Sequence, residues 1–235
     1  MSDRVIRLDS LRFAWPGQST LLDIETFELG RGERLFLKGP SGSGKTTLLG
    51  LIGGVHRPTA GSVKLLGIDM AGMSAARRDR FRADHTGYIF QMFNLLPYLS
   101  LLDNVALPCR FSRVRRERAL IGHASLAESA RSLLRGLGLE EHLMHRAVSD
   151  LSTGQQQRVA AARALIGSPE LIIADEPTSA LDADSREAFI ALLFEQCRKS
   201  GSSVLFVSHD ASLQSGFDRS LSLRELNRTS TAGAL

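Results

Sequence analysis

Eight residues, Gly39-Pro40-Ser41-Gly42-Ser43-Gly44-Lys45-Thr46, have the spacing GxxxxGK[ST]. Such a run suits phosphate. Its glycines let backbone N–H groups converge on an anion with no side chain in the way, and a helix starting near Lys45 turns its positive dipole end to the same point. Lys45 then reaches the β- and γ-phosphates, and the Thr46 hydroxyl is a ligand for Mg²⁺. A chance glycine-rich turn is the alternative, but it leaves the strand before the run and the helix after it unexplained. Alone, the run establishes a nucleotide-phosphate site and no more.

A second cluster, Leu171-Ile-Ile-Ala-Asp175-Glu176-Pro177, is an apolar strand that ends in two acids. In an open parallel sheet ligands bind at the carboxyl ends of the strands, which is where this strand delivers Asp175. Asp175 suits a Mg²⁺ shell, and Glu176 is placed to polarise an attacking water. Phosphoryl transfer needs that division, because its catalysis is positioning plus charge neutralisation. Acidic first-turn residues at a helix start are the competing reading; the phosphate loop favours the functional one.

The elements that must position these residues follow from periodicity. Val5–Phe13 and Leu21–Leu29 read as strands joined by the turn Trp15-Pro16-Gly17-Gln18. Arg34–Lys38 is a strand running into the glycine loop, Thr46–Ile52 a helix, Ser62–Leu66 a strand and Ser74–Asp84 a helix with Ser74 as N-cap. Pro97 and Pro108 interrupt the chain, and the rest up to Asp150 reads as helical; Leu126, Ala130, Leu133, Leu134 and Leu137 fall on one helix face. Alternation then resumes with helix Gln155–Ile166, strand Leu171–Ala174, helix Asp182–Ser200 and strand Val204–Val207. Strands alternating with helices imply a largely parallel sheet.

Between the helical stretch and the acidic pair lies Leu151-Ser152-Thr153-Gly154-Gln155-Gln156-Gln157-Arg158. Here the chain resembles the ABC ATPase family, whose signature reads LSGGQ followed by a short run and QRV. The resemblance spans nearly the whole chain: the phosphate loop Gly39–Thr47, Gln91 in Tyr-Ile-Phe-Gln, the signature, Asp175-Glu176, Ser179-Ala180-Leu181-Asp182, and His209 in Val-Ser-His-Asp.

The resemblance implies an α/β fold, a phosphate-loop NTPase (RecA-like) core with N-terminal antiparallel strands and an inserted helical subdomain. Residues 1–95 and 155–228 would form the core and 96–154 the helical subdomain carrying the signature, with 229–235, small and polar, a frayed tail. It also implies ATP and Mg²⁺ as cofactors and a homodimer packed head to tail. ATP would then lie between the phosphate loop of one chain (Gly39, Pro40, Ser41, Gly42, Ser43, Gly44, Lys45, Thr46, Thr47) and Ser152, Gly154 and Gln155 of the other. In this scheme Thr46, Gln91 and Asp175 hold Mg²⁺, and Glu176, His209, Gln91 and Lys45 serve catalysis. Gln91 also couples the site to the inserted helices, His209 contacts the γ-phosphate, and Asp182 organises the dimer contact.

Two positions depart from the family. Thr153 replaces a signature glycine; a β-branched residue resists φ > 0 but is tolerated at an ordinary helix start, which is the expectation here. Trp15 lies where the family places an adenine-stacking aromatic, most often Tyr, and offers a larger face. Phe13 is the rival, although strand alternation assigns it to the core.

Gly87–Pro97 with Leu102-Asp103-Asn104-Val105 is similar to the branch of the family serving lipoprotein release and macrolide export, and cell-division ATPases share much of it. That branch implies an integral-membrane permease as partner and a periplasmic or extracytoplasmic adaptor. A non-transport mechanical regulator of a membrane complex is the alternative. Nucleic acid is not an expected partner, since ribosome-acting relatives carry a coiled-coil insertion or two ATPase halves that 235 residues do not hold.

The longest strongly apolar stretch, Leu48–Val55, is far short of the roughly 20 residues that span a bilayer, and the first residues lack the apolar run of a secretory signal. The expectation is a cytoplasmic protein, peripheral on the inner face of the membrane through the permease. Two cysteines, Cys109 and Cys197, without CxxC spacing argue for reduced thiols. The net charge of +4 is mild. Two arginine clusters, at 77, 78, 80 and 82 and at 110, 113, 115, 116 and 118, read first as solvated helix faces and second as a contact with a permease or anionic lipid. His142 and His145 lack the companions of a metal site and read as surface or packing residues.

Overall fold

The computed structural model of the chain describes residues 3–144 and 146–230. Contacts divide it into two compact units, one running to Arg82 and resuming at Leu205, the other spanning Ala83–Val204.

In the first unit β1 (Arg4–Ala14) and β2 (Thr20–Gly30) pair antiparallel, with Leu8 opposite Phe27 and Leu11 opposite Ile24. The turn between them has Gln18 N donating to Trp15 O at 3.0 Å and Gly17 at φ 73°, with Pro16 before it. This is a type II turn, whose third position favours glycine. Along β1 the buried positions change phase from Ile6 and Leu8 to Leu11 and Phe13. Ser10, at φ 48°, supplies the extra residue where the pairing with β4 (Ala60–Leu65) shifts register. A short β5 (Ile68–Asp69) completes this antiparallel sheet.

The same unit holds β3 (Arg34–Lys38), parallel to β9 (Arg219–Ser222). Behind β3, the rings of Phe36, Phe206 and Phe217 pack with centroids 5.1–6.1 Å apart. The loop after β3 leads into α1 (Lys45–Ile52), whose Leu48, Leu49, Leu51 and Ile52 are buried, and β9 passes directly into α9 (Leu223–Leu226). The tail expected to fray from Thr229 begins with a 3-10 turn over Arg228–Ser230, and Thr229 Oγ1 donates to Leu21 O at 3.3 Å. Asn227 explains the difference. Its side chain donates to Leu21 O at 2.9 Å and accepts from Asp23 N at 2.8 Å, tying the chain end to β2. Residues 231–235 lie outside the described residues.

The boundary between the units falls within α2 (Ala75–His85) and β8 (Ser203–Ser208). In the second unit β6 (Thr86–Ile89) pairs parallel with β7 (Leu171–Asp175). Around the pair are α3 (Leu101–Ala106), α4 (Pro108–Phe111), α5 (Arg113–Ala119), α6 (Leu126–Gly136), α7 (Thr153–Leu165) and α8 (Ala183–Ser200). The apolar face read from Leu126 onward is that of α6: Ala130, Leu134 and Leu137 are fully buried, and Ser125 caps the helix through Glu128 N. Both cysteines are buried free thiols. Among the described residues no helix is long and apolar enough to cross a membrane.

The arginine clusters are only partly solvated faces. Arg77, Arg80, Arg110, Arg113 and Arg116 are exposed, but Arg78 and Arg115 are buried. Arg78 donates to Gly54 O and Met73 O, each at 2.9 Å, and Arg82 to Gly53 O at 3.1 Å. Arg115, 2% exposed, bonds the carbonyls of Ile166 (2.7 Å), Ala164 (2.7 Å) and Arg163 (3.2 Å), and Thr86 O at 3.4 Å. For Arg115 the cause is the end of a helix: the last carbonyls of α7 have no partner within the helix, and a cation answers both their lone pairs and the dipole, whereas Arg78 and Arg82 bond loop carbonyls just past α1 and before α2. Burial still pulls the Arg115 guanidinium down to about 10, leaving it charged at neutral pH. Arg115→Ala should lower the unfolding free energy by about 3 kcal/mol or more, because it strands several buried acceptors. Urea titration checks this, and a loss under about 1 kcal/mol would contradict the clamp.

A second ion cluster closes the amino ends of β6 and β7. Glu170, just before β7, accepts from His85 Nδ1 at 2.9 Å and from Arg118 at 2.8 Å, next to the register pair Thr86–Leu171. Burial alone would raise its carboxyl, but the bonds from His85 and Arg118 outweigh that and hold it at about 2. The opposite ends of the same two strands are left to carry function.

Candidate functional site

The first unit carries the phosphate loop. Gly42 and Gly44 have φ of 77° and 93°, the left-handed region that lets successive amides turn inward. Gly44 is also the residue before α1, so the loop ends at a helix N-terminus. Ser43 Oγ is buried without a hydrogen-bond partner, an orphaned polar atom inside the loop. Lys45 Nζ donates to Gly39 O at 2.7 Å and Pro40 O at 3.0 Å, which folds the ammonium over the same loop. A cradle of amides with a lysine above it and an unsatisfied hydroxyl within suits a polyphosphate in shape and charge. In the same unit His209 follows β8 and is exposed, and Asp210 N is held by Ser208 Oγ at 3.1 Å.

The second unit carries the acids. β7 is buried from Leu171 to Ala174 and delivers Asp175 and Glu176 at its carboxyl end. Ile89, the last residue of β6, is opposite Ala174, so Gln91 follows two residues after the carboxyl end of the strand that pairs with β7. Glu176 has φ 48°, an unusual backbone for a residue with a side chain, and only 9% of it is exposed. Such a conformation costs about 1–3 kcal/mol and persists where surroundings over-determine it. Phe93 (φ 57°) and Asn94 (φ 49°) repeat the feature just after Gln91.

The signature opens α7. Ser152 Oγ accepts from Gln155 N at 3.3 Å and Gln155 Oε1 accepts from Ser152 N at 2.9 Å, a reciprocal capping box. Ser152, Gly154, Leu181 and Ser185 line a cavity of about 210 Å³ between the start of α7 and the start of α8. Asp182 caps α8, accepting from Ser185 N at 2.8 Å and Ser185 Oγ at 2.9 Å; these bonds hold its carboxyl below the ordinary range.

Residues 22–179 match the family described as ABC transporter. The chain belongs to the ABC transporter family. The lipoprotein-releasing system ATP-binding protein LolD of Shewanella sp. (strain MR-4) is 40% identical over 205 residues, which cover 87% of this chain and 84% of LolD. The dimeric structure of MJ0796, a bacterial ABC transporter cassette, is 34% identical with a TM-score of 0.76, covering 93% of this chain and 94% of the other. A second dimeric structure of MJ0796, in a post-hydrolysis state bound to ADP and Pi, is likewise 34% identical, with a TM-score of 0.75 and coverage of 92% and 93%. The α/β fold with its N-terminal antiparallel sheet is that of an ABC ATPase cassette, and the chain is the ATP-binding, ATP-hydrolysing subunit of such a transporter.

As an ABC cassette the chain tolerates its signature substitution locally. Thr153 is the first residue of α7 and lies outside the positive-φ region, so its β-branch meets no backbone penalty. Trp15 is exposed whereas Phe13 is 6% exposed and belongs to the core. His142 is exposed, its Nδ1 3.2 Å from Glu140; His145 lies outside the described residues, and no metal-ligating cluster occurs among the described residues.

Two residues of this cassette escaped the sequence reading. Gln157 Nε2 donates to Pro177 O at 2.7 Å, and Arg163 donates to Asn94 O at 2.6 Å and to Phe93 O. Both sit on α7. One helix thus starts with the signature, grips the residue after Glu176, and grips the segment after Gln91. Both are buried polar groups on an otherwise alanine-rich face, and that pattern was the available signal.

Proposed function

We propose that this cassette is the motor of a lipoprotein-releasing type of transporter, working as a homodimer beneath an integral-membrane permease. The 40% identity to LolD over most of both chains carries this reading. The same branch supplies the proposed extracytoplasmic adaptor and the place on the cytoplasmic face of the inner membrane.

The residue roles follow the motifs. The amides of residues 39–47 hold the ATP phosphates and Lys45 neutralises their charge. Trp15 stacks on adenine. Glu176 takes the proton from the attacking water, Gln91 orients that water, and His209 bonds the γ-phosphate. Thr46, Gln91 and Asp175 are the proposed Mg²⁺ ligands; the ion supplies charge neutralisation at the transferring phosphoryl group. Ser152, Gly154 and Gln155 serve the nucleotide of the partner chain. Gly154 supports this, since a Cβ there would meet only Leu181 Cδ2 at 3.6 Å. The chain's own packing leaves room beside Gly154, as approach of the partner chain's nucleotide to its amide requires. Asp182 acts at the dimer contact.

Purification of the tagged chain from native membranes tests the assignment. A polytopic permease should co-purify, and its complex should release a lipoprotein from membranes with Mg-ATP. Recovery instead of a membrane protein tied to a cell-wall hydrolase would replace this reading with the cell-division one.

A further inference from the structure

Trp15 is held from two sides. Its ring packs nearly perpendicular to that of Phe13, with centroids 5.0 Å apart and planes at 85°, and to that of His56, 5.1 Å away at 78°. His56 is itself pinned. The amides of Val55 and His56 both donate to Gly50 O, at 2.8 and 3.1 Å. Further along, Thr59 N and Oγ1 bond Arg12 O at 2.8 and 3.0 Å. The segment is therefore strapped to α1 at one end and to β1 at the other.

The imidazole lies against Gly50. A Cβ built there would be 2.5 Å from His56 Cδ2 and 2.9 Å from Nε2. Glycine inside a helix costs about 1 kcal/mol relative to alanine. Here the missing methyl group is the space the imidazole fills. Gly50 is five residues after Lys45 in α1, so His56 links the helix of the phosphate loop to the indole.

We propose that His56 is a positioning residue for the nucleobase: it fixes the Trp15 ring and ties it to α1, so that base platform and phosphate cradle keep a set spacing. This rests on the reading that Trp15 stacks adenine. Trp15 is 37% exposed, and with His56 gone it loses one of its two aromatic ring contacts. Nucleotide binding would then have to order the ring as well as contact it, and affinity falls by that cost.

The test measures Mg-ATP affinity, KM and kcat for Trp15→Ala, His56→Ala, His56→Leu and the Trp15→Ala/His56→Ala pair. His56→Leu fills the space without a ring and guards against a collapsed His56→Ala. Both His56 variants should weaken ATP and raise KM about 3- to 10-fold, the scale of one aromatic edge contact, with kcat at saturation retained. In the Trp15→Ala background His56→Ala should add nothing. Trp15 is the only tryptophan, so its fluorescence anisotropy in nucleotide-free protein should fall when His56 is replaced. Wild-type affinity in both His56 variants, additive losses in the double variant, or a fall in kcat at constant KM would each overturn the proposal. An affinity unchanged by Trp15→Ala would instead overturn the stacking reading, and the anisotropy would still decide whether His56 holds the ring.

Discussion

Glu176→Gln should leave ATP binding intact and cut turnover by roughly 10²- to 10⁴-fold, the usual contribution of a general base. The substitution keeps the shape of the side chain and removes its ability to accept a proton. The backbone makes the loss hard to compensate. Glu176 is held at φ 48°, and the next residue is fixed through the 2.7 Å bond from Gln157 to Pro177 O. The side chain therefore leaves the end of β7 in one direction, and a neighbouring acid cannot drift into its place. Asp175, one residue earlier, ends the strand itself and points along a different pleat position. ATP-bound protein should accumulate as a dimer visible by size-exclusion chromatography, because the contacts to γ-phosphate form and are not cleared. Turnover within a few-fold of the parent would remove Glu176 from the base role.

Much of this site was legible because its signals are local. GxxxxGK[ST], an apolar strand ending in two acids, and a capped helix start each lie within one short segment. Period-2 and period-3.6 patterns then place β1–β4, β7, β8 and the longer helices within a few residues, whereas β5, β6 and β9 are too short to show a period. Asp182 was read as the start of the last long helix and is its N-cap.

The misreadings are long-range. Nothing within a window around Arg115 says that the carbonyls of Ala164 and Ile166, about fifty positions away, lack donors. An arginine-rich stretch therefore looks like a solvated face. The anchoring of the last described residues is long-range in the same way: Asn227 pairs with β2, about two hundred positions earlier. His56 went unremarked because a lone histidine after a helix carries no motif. Only its packing against Gly50 and Trp15 gives it meaning.

Mixing Lys45→Ala chains with Ser152→Arg chains should restore part of the ATPase activity that each has lost alone. If two chains sandwich ATP, each site takes its phosphate loop from one chain and its signature from the other. The Lys45 variant has a damaged loop and an intact signature; the Ser152 variant has the reverse. Ser152 suits this use because it is exposed: arginine there blocks the surface and costs the α7 cap, about 1 kcal/mol, while the buried face of the helix is unchanged. A mixed dimer rebuilds one complete site and concentrates both lesions in the other. In that arrangement the γ-phosphate contacts would exist only in the closed dimer and vanish on hydrolysis, which would give the difference in affinity between states that a switch requires. Parent protein should accordingly be monomeric without nucleotide, with turnover rising more steeply than linearly in protein concentration. A permease dimer, by holding two cassettes together, should remove that dependence. The mixing result is decisive once a heterodimer with one intact site is shown to turn over, for instance by linking two chains in tandem with both lesions in one site. If that linked dimer is active and the mixture of separate variants recovers nothing, the cassettes do not pair head to tail around ATP.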